Sequence, residues 1–233
     1  MTHAVFFDVG NTLLHPYPSV SEVCRQVLEE AGHTRDLSAI DSVMPLVDAH
    51  YEDRYSEDDT FWTDENATNS VWIGMYSLMA RELGIERDAE LLAHRVYEEF
   101  GRAERWRPYD DVIPAFKRLK GRGQRIGIIS NWDGRLSALL AEMGIAEMVD
   151  TIVSSAEVGL HKPDPRIFEL ACERLDVMPS DAVHVGDHRY ADIFGASAVG
   201  MEPVLIDRQG ATVLTEGITT LDALEEYLGW VTG

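Results

Sequence analysis

An aspartate stands where an apolar run ends in AVFFDVGNTLL, residues 4–14, and a glycine with two small polar residues follows almost at once. The arrangement recurs in kind along the chain. QRIGIISN ends on Ser130 and Asn131. MVDTIVSS is followed by Gly159-Leu160-His161-Lys162-Pro163. AVHVGD ends on Gly186 and Asp187, with Asp192 just beyond. These strand-end groups are carboxylates, a hydroxyl, a lysine and small residues that let backbone N–H groups come close. Together they suit phosphate chemistry. Two or three carboxylates can hold Mg²⁺, which prefers hard oxygen ligands and keeps part of its water. Lys162 can neutralise a phosphoryl group as a point charge. Ser130 and nearby amides can bind its oxygens, and a carboxylate not consumed by the metal can attack phosphorus to form an acyl phosphate. Without the metal and the lysine, the clustered acids would repel any phosphate.

Such groups work together only if the chain brings them to one place, and the surrounding pattern predicts that it does. Each apolar run reads as a buried strand, and helical patterns follow: DDVIPAFKRLKGRG with Asp110 or Asp111 as cap, DGRLSALLAEMG stopped by Gly144, Pro165 to Leu175, Tyr190 to Ala198, and a closing helix from Thr219 to Tyr227. A further strand, EPVLID, precedes the last helix. Strands alternating with helices imply an α/β fold with a parallel, doubly wound sheet. Ligands of such sheets bind outside the carboxyl ends of the strands, which is where all these residues lie.

The segment after the first strand reads differently. Val20, Val23, Cys24, Val27, Leu28 and Ala31 follow helical spacing, with Ser19 and Glu22 as a capping box. Trp72, Met75, Tyr76, Met79 and Leu83 make a second stripe, and Leu92, Val96, Phe100 and Ala103 a third; SEDDTFWTDENATN, between the first stripe and the second, reads as a loop. No strand signal is visible from about residue 16 to about residue 106. The expected organisation is therefore a β/α core of residues 1–14 and 108–233, interrupted by an all-helical insert of residues 15–107.

Composition narrows the function classes. The 233 residues are 45% hydrophobic, which is globular. The net charge of −21 argues against nucleic acid and anionic membrane as partners. No apolar run is long enough to span a bilayer and the N-terminus has no signal-peptide pattern, so a cytoplasmic protein is expected. Cys24 and Cys172 are accordingly read as reduced core residues. Lysine occurs only at Lys117, Lys120 and Lys162. Acid excess with scarce lysine fits either adaptation to high salt or an acidic surface from a high-GC genome.

With FFDVGNTLL, IISN, HKPDP and VGDHRYAD in that order, each after a predicted strand, the sequence resembles the haloacid dehalogenase superfamily of hydrolases over nearly its whole length. The resemblance implies a Rossmann-like core, with the helical insert as a cap over the active site as in subclass I, and Mg²⁺ as cofactor. It makes Asp8 the nucleophile and a metal ligand, with Gly10 lending its backbone carbonyl to the metal. Thr12 would support the nucleophile loop and the phosphate site. Ser130 and Asn131 would hold phosphoryl oxygens, and Lys162 would balance charge on nucleophile and phosphate. Asp187 would bind Mg²⁺ directly, and Asp192 would bind it or orient its waters.

One position departs from the pattern. Phosphatases of the family usually carry a second aspartate two residues after the nucleophile, which protonates the leaving group; here that residue is Gly10. Losing a general acid commonly costs ~10²–10⁴-fold. Either the enzyme is slow or favours good leaving groups, or another group such as His15, His161 or His188 replaces the acid, or the chemistry differs. The leading reading is a Mg²⁺-dependent phosphatase of small phosphate monoesters. The alternatives are a 2-haloacid dehalogenase acting on a halogenated substrate, which also lacks the second aspartate, and a degenerate member that binds phosphate or a partner without turnover. Trp62, Trp72 and Trp132 are read as packing residues, with Trp132 also a wall of the substrate pocket. No arginine of the insert is singled out for a substrate anion.

Overall fold

The computed structural model describes residues 3–210 and 217–230. Strand β1 (Ala4–Phe7) is buried along its whole length and occupies the centre of a five-stranded sheet. It pairs in parallel with β4 (Arg125–Ser130) on one side and β6 (Ala182–Gly186) on the other, with Ala4 level with Arg125 and Ala182. β5 (Thr151–Ser154) and β7 (Glu202–Leu205) complete the order β5-β4-β1-β6-β7. The expected doubly wound parallel sheet is present.

The two-residue repeat of a strand decides what each face buries. Val5 and Phe7 join a cluster with Phe116 of α5 (Val112–Gly121), Leu136 and Leu140 of α6 (Leu136–Glu142), and Leu224 of the short α10 (Leu224–Tyr227). Ala4 and Phe6 face the other way, onto Ile167 and Phe168 of α8 (Pro165–Arg174) and Ala196 of α9 (Gly195–Ala198). α7 (Ser155–Val158) follows β5 and stops at Gly159, whose φ of 67° suits a residue without Cβ. With both faces covered by apolar helices, polar groups are favoured at the strand ends.

Residues 20–99 build their own apolar cluster from α1 (Val20–Glu30), α2 (Leu37–Glu57), α3 (Glu65–Glu82) and α4 (Ala89–Glu99). Trp106 is partly buried against both this cluster and that of the sheet. Ser19 caps α1 through a bond from the Glu22 N–H.

Four local expectations are corrected. Strands β2 (Leu14–Pro16) and β3 (Trp106–Pro108) form an antiparallel ladder across the two chain crossings, at the margins of the region expected to be strand-free; three residues are too few to display alternation. The expected loop SEDDTFWTDENATN is largely helical. Thr60–Thr63 forms a 3₁₀ turn, and Asp64 caps α3 by accepting from the Ala67 N–H. The expected helix from Tyr190 begins as a π turn over Arg189–Phe194. The closing helix is a 3₁₀ turn, Leu221–Ala223, running into α10. Cys24 and Cys172 are both buried and unbridged. Among the described residues no helix is long and apolar enough to cross a membrane.

Candidate active site

Asp8 follows β1 directly, and its N–H donates to the Val185 carbonyl at 2.9 Å, which fixes it beside the end of β6. The Ser130 hydroxyl donates to Asp8 Oδ1 at 2.9 Å from the end of β4. Lys162 Nζ donates to the same oxygen at 2.7 Å and to Asp192 Oδ1 at 2.6 Å. Lys162 is 2% exposed, so its charge is neutralised by these carboxylates and not by water. Asn131 holds its backbone: the side-chain amide donates to the Lys162 carbonyl at 2.9 Å and accepts from the Lys162 N–H at 2.7 Å. Among the described residues no hydrogen bond reaches Asp8 Oδ2, which leaves that oxygen for an electrophile or a cation.

Asp192 is buried beneath the lysine. His184 Nε2 lies 2.8 Å from its Oδ1, and the His188 N–H donates to its Oδ2 at 3.0 Å. Gly186 permits this: a Cβ there would fall 2.2 Å from Asp192 Cγ. The turn that carries Asp192 back against the strand end is the π turn, whose wider winding aims the carboxylate inward.

Electrostatics distinguish the three carboxylates. Burial works against the Lys162 ammonium, but Asp192 and Asp8 outweigh it and hold its pKa above the ordinary lysine range. Burial likewise opposes charge on Asp192, yet Lys162 and His184 hold its carboxyl well below the usual range. Among the described residues Asp187 has no ion-pair partner. Burial, then the charges of Asp8 and Asp192, push it up to about 8, only weakly opposed by the charge of Lys162. Asp8, Asp187 and Asp192 offer oxygens that all lie within 4.8 Å of one another. Hard oxygen donors crowded to the point of protonation are what a divalent cation relieves. The residues therefore fit Mg²⁺, with Asp8 and the half-buried Asp187 lining the cavity and Asp192 behind them.

The remaining sequence candidates divide. Gly10, Asn131, Trp132 and His188 line the same cavity as Asp8, Ser130, Lys162 and Asp187. Thr12 does not. Its hydroxyl is buried without a hydrogen-bond partner, and the nucleophile loop is tied instead through the Thr12 carbonyl, which accepts from Arg208 Nε at 3.0 Å and Nη2 at 2.7 Å. His15 packs against Tyr109 on the β2–β3 ladder, and His161 pairs with Asp59 at 3.1 Å; neither lines the cavity. His188 does line it, but its Nδ1 accepts from the Ala191 N–H at 3.0 Å, capping the π turn.

Above this floor is a cavity of about 470 Å³. Its upper wall is aromatic. Tyr51 stacks on Trp72 with ring centroids 5.7 Å apart, Trp72 on Tyr76 at 6.4 Å and Tyr76 on Phe100 at 5.9 Å; Trp106 meets Phe100 at 5.9 Å and Trp132 at 4.9 Å. Trp72 thus lines the pocket as well as packing. Sequence reasoning missed this belt as a unit, although the i,i+4 pairs Tyr51–Tyr55 and Trp72–Tyr76 signal it. It also missed Asp133 and Arg135. Among the described residues Arg135 is the one arginine in the lining, and each of its guanidinium nitrogens has a partner: Nε and Nη2 donate to Asp133 at 3.0 and 2.6 Å, and Nη1 donates to the Tyr97 carbonyl at 2.8 Å.

A family model described as haloacid dehalogenase-like hydrolase matches residues 2–200. The chain is 30% identical over 209 residues to the haloacid dehalogenase-like hydrolase domain-containing protein 3 of Danio rerio, covering 88% of this chain and 85% of that protein. It is 30% identical over 218 residues to the glyceraldehyde 3-phosphate phosphatase of Methanopyrus kandleri, covering 89% and 85%. Among solved structures, the HAD-hydrolase YfnB of Bacillus subtilis, bound to magnesium, superposes with a TM-score of 0.77 over 97% of this chain and 98% of that one; at 19% identity this likeness concerns the fold alone.

Proposed function

Because the chain belongs to the haloacid dehalogenase-like hydrolases, we propose that it is a Mg²⁺-dependent phosphatase of small phosphate monoesters working through an aspartyl-phosphate on Asp8. The observation that carries the reading is the convergence of Asp8, Lys162, Asp187 and Asp192, from separate parts of the sequence, on one buried point. In this reading residues 1–14 and 108–233 are the catalytic core and residues 15–107 the cap.

Asp8, Asp187 and Asp192, with the Gly10 carbonyl, would hold the ion. When bound, Mg²⁺ supplies positive charge that screens the carboxylates from the incoming phosphate and stabilises charge on its oxygens. Lys162 and Ser130 both bond Oδ1 of Asp8, which holds the carboxylate and leaves Oδ2 to act as the nucleophile in this reading. That oxygen attacks phosphorus, the bond to the ester oxygen breaks, and the leaving group departs with the electron pair. Water then attacks phosphorus, the bond to Asp8 breaks, and inorganic phosphate leaves. Ser130 and Lys162 are placed to bind equatorial oxygens during both displacements. No side chain at position 10 protonates the leaving oxygen.

The second reading, a 2-haloacid dehalogenase, draws on Gly10 and on the apolar upper wall. Against it stands the intact Gly186-Asp187 pair, with a third carboxylate that a metal-free displacement at carbon does not need. Initial rates on p-nitrophenyl phosphate and on chloroacetate, with Mg²⁺ and with EDTA, separate the two. The phosphatase reading expects Mg²⁺-dependent, EDTA-sensitive hydrolysis of the first only. EDTA-resistant chloride release overturns it, and no turnover together with no beryllofluoride adduct on Asp8 leaves a degenerate binding protein.

A further inference from the structure

The cavity above Asp8 carries information on the leaving group. Resting on the phosphatase reading above, we propose that the substrates are aryl phosphates, monoesters of acidic aromatic alcohols whose ring lies in the belt of Tyr51, Trp72, Tyr76, Phe100, Trp106 and Trp132. Two independent observations meet in this inference. The first is the wall itself. Its rings follow one another at centroid spacings of 4.9 to 6.4 Å, within the range of offset-stacked and edge-to-face pairs, so a further planar ring inserted among them finds π faces and edges already arranged. The volume of about 470 Å³ admits a one- or two-ring group.

The wall is also poor in unpaired cations, which esters carrying a second anionic group need. The lysine and arginine side chains lining the cavity are Lys162 and Arg135. Lys162 serves the floor, and Arg135 is held by Asp133 and Tyr97 with its guanidinium 3.8 Å above the Tyr97 ring. Glu52, also in the lining, adds negative charge. Among the described residues a second phosphate or a carboxylate on the substrate therefore meets no lysine or arginine in the lining that is not already paired.

The second observation is the floor beneath the belt. The ring series ends at Trp132, whose Cζ3 lies 3.6 Å from where a Cβ on Gly10 would be. The leaving oxygen therefore sits beside an indole and a glycine, with no acid at that position. When the P–O bond breaks, the electron pair stays on that oxygen until solvent protonates it. A phenolate, with a conjugate acid near pKa ~10 like tyrosine, tolerates this. An alkoxide, whose conjugate acid resembles water at ~15.7, does not. The aromatic wall and the missing acid thus select the same chemical class.

The test compares the intact chain with Mg²⁺ on 1-naphthyl phosphate, a series of substituted phenyl phosphates, glycerol phosphate and acetyl phosphate. Acetyl phosphate has a good leaving group but no ring, so its Asp8-dependent hydrolysis tests the phosphatase reading alone. The inference expects kcat/KM on 1-naphthyl phosphate to exceed that on glycerol phosphate by at least about a hundredfold, the size of a missing general acid, and to fall steeply with rising phenol pKa. Trp72→Leu should lower the ratio of naphthyl to acetyl phosphate kcat/KM about 3- to 10-fold, through KM, the worth of one aromatic pair. As a readout free of turnover, 1-naphthol should quench tryptophan fluorescence, more weakly in the variant. Acetyl phosphate turned over with glycerol phosphate equal to or better than the aryl esters overturns the inference and spares the reading. An unchanged ratio in Trp72→Leu overturns the ring site. No phosphoryl substrate turned over removes both.

Discussion

Replacing Lys162 with methionine removes the buried ammonium while keeping an unbranched side chain of similar length. The contacts at 2.7 and 2.6 Å to Asp8 and Asp192 are each of roughly 6 kcal/mol at an effective permittivity of about 20. Desolvation offsets much of this, and breaking one side of a buried pair costs about 3–5 kcal/mol because the partner charge is left uncompensated. Asp8 keeps Ser130, and Asp192 keeps His184 and the His188 N–H, so the cost should not exceed that range. For a chain of this size it lowers Tm by roughly 6–20 °C in EDTA. Saturating Mg²⁺ should recover part of the loss, ~2.7 kcal/mol at a hundred times Kd. Turnover of p-nitrophenyl phosphate should fall at least ~10²-fold even with Mg²⁺ bound. Thermal melts with and without Mg²⁺ and steady-state rates read both effects. A variant melting within about 2 °C of wild type in EDTA, or retaining turnover, would refute the picture of a lysine that neutralises the acid cluster.

Further outcomes follow from the same geometry. Gly10→Asp meets only an ordinary contact at 3.6 Å and needs no left-handed backbone; it should raise hydrolysis of alkyl phosphates ~10²-fold or more while changing p-nitrophenyl phosphate far less, and equal gains on both would contradict the role assigned to this position. Gly186→Ala would set a Cβ 2.2 Å from Asp192 Cγ; displacing that carboxylate should weaken Mg²⁺ binding, read by titration calorimetry, and unchanged binding would mean that Asp192 does not support the site. Asp187 holds its proton up to about pH 8 in the folded chain, against an ordinary 3.8. Between those values the native state binds a proton that the unfolded chain has lost, so metal-free stability should fall as pH rises through the window. Mg²⁺ must displace that proton, so its affinity should climb toward about pH 8; melting curves in EDTA and in Mg²⁺ that stay parallel across the window would contradict this.

The catalytic floor was legible because each strand is an apolar run that stops abruptly. Asp8, Ser130 and Asp187 stand at or directly after such stops, and the alternation with helices already required their ends to share one edge. Lys162 was legible from its place in a strand-end motif. The clamp that holds it was not: Asn131 grips Lys162 from 31 positions away, and no local pattern encodes that pairing. The helix α2 left little periodic signal because only Ile40 and Val47 are buried along it, with Pro45 in between; its role is to present Tyr51 and Tyr55 to the cavity, which hydrophobic spacing does not distinguish from packing. The π turn at Arg189–Phe194 reads as ordinary helix from the sequence because the bonds that hold the Asp192 carboxylate inward come from Lys162 and His184, outside the turn. The third carboxylate, Asp192, is legible from its place just beyond a strand end, but its principal partners, Lys162 and His184, are set by the packing of distant segments.

The most direct test of the central claim is the stereochemical course at phosphorus, measured with a phosphorothioate monoester made chiral by an oxygen isotope and hydrolysed in water of a third isotope, so that the inorganic thiophosphate released is itself chiral. Two successive in-line displacements, first by Asp8 and then by water, predict net retention of configuration whether or not the intermediate accumulates. Net inversion would mean that water attacks the substrate directly, and Asp8 would not be the nucleophile.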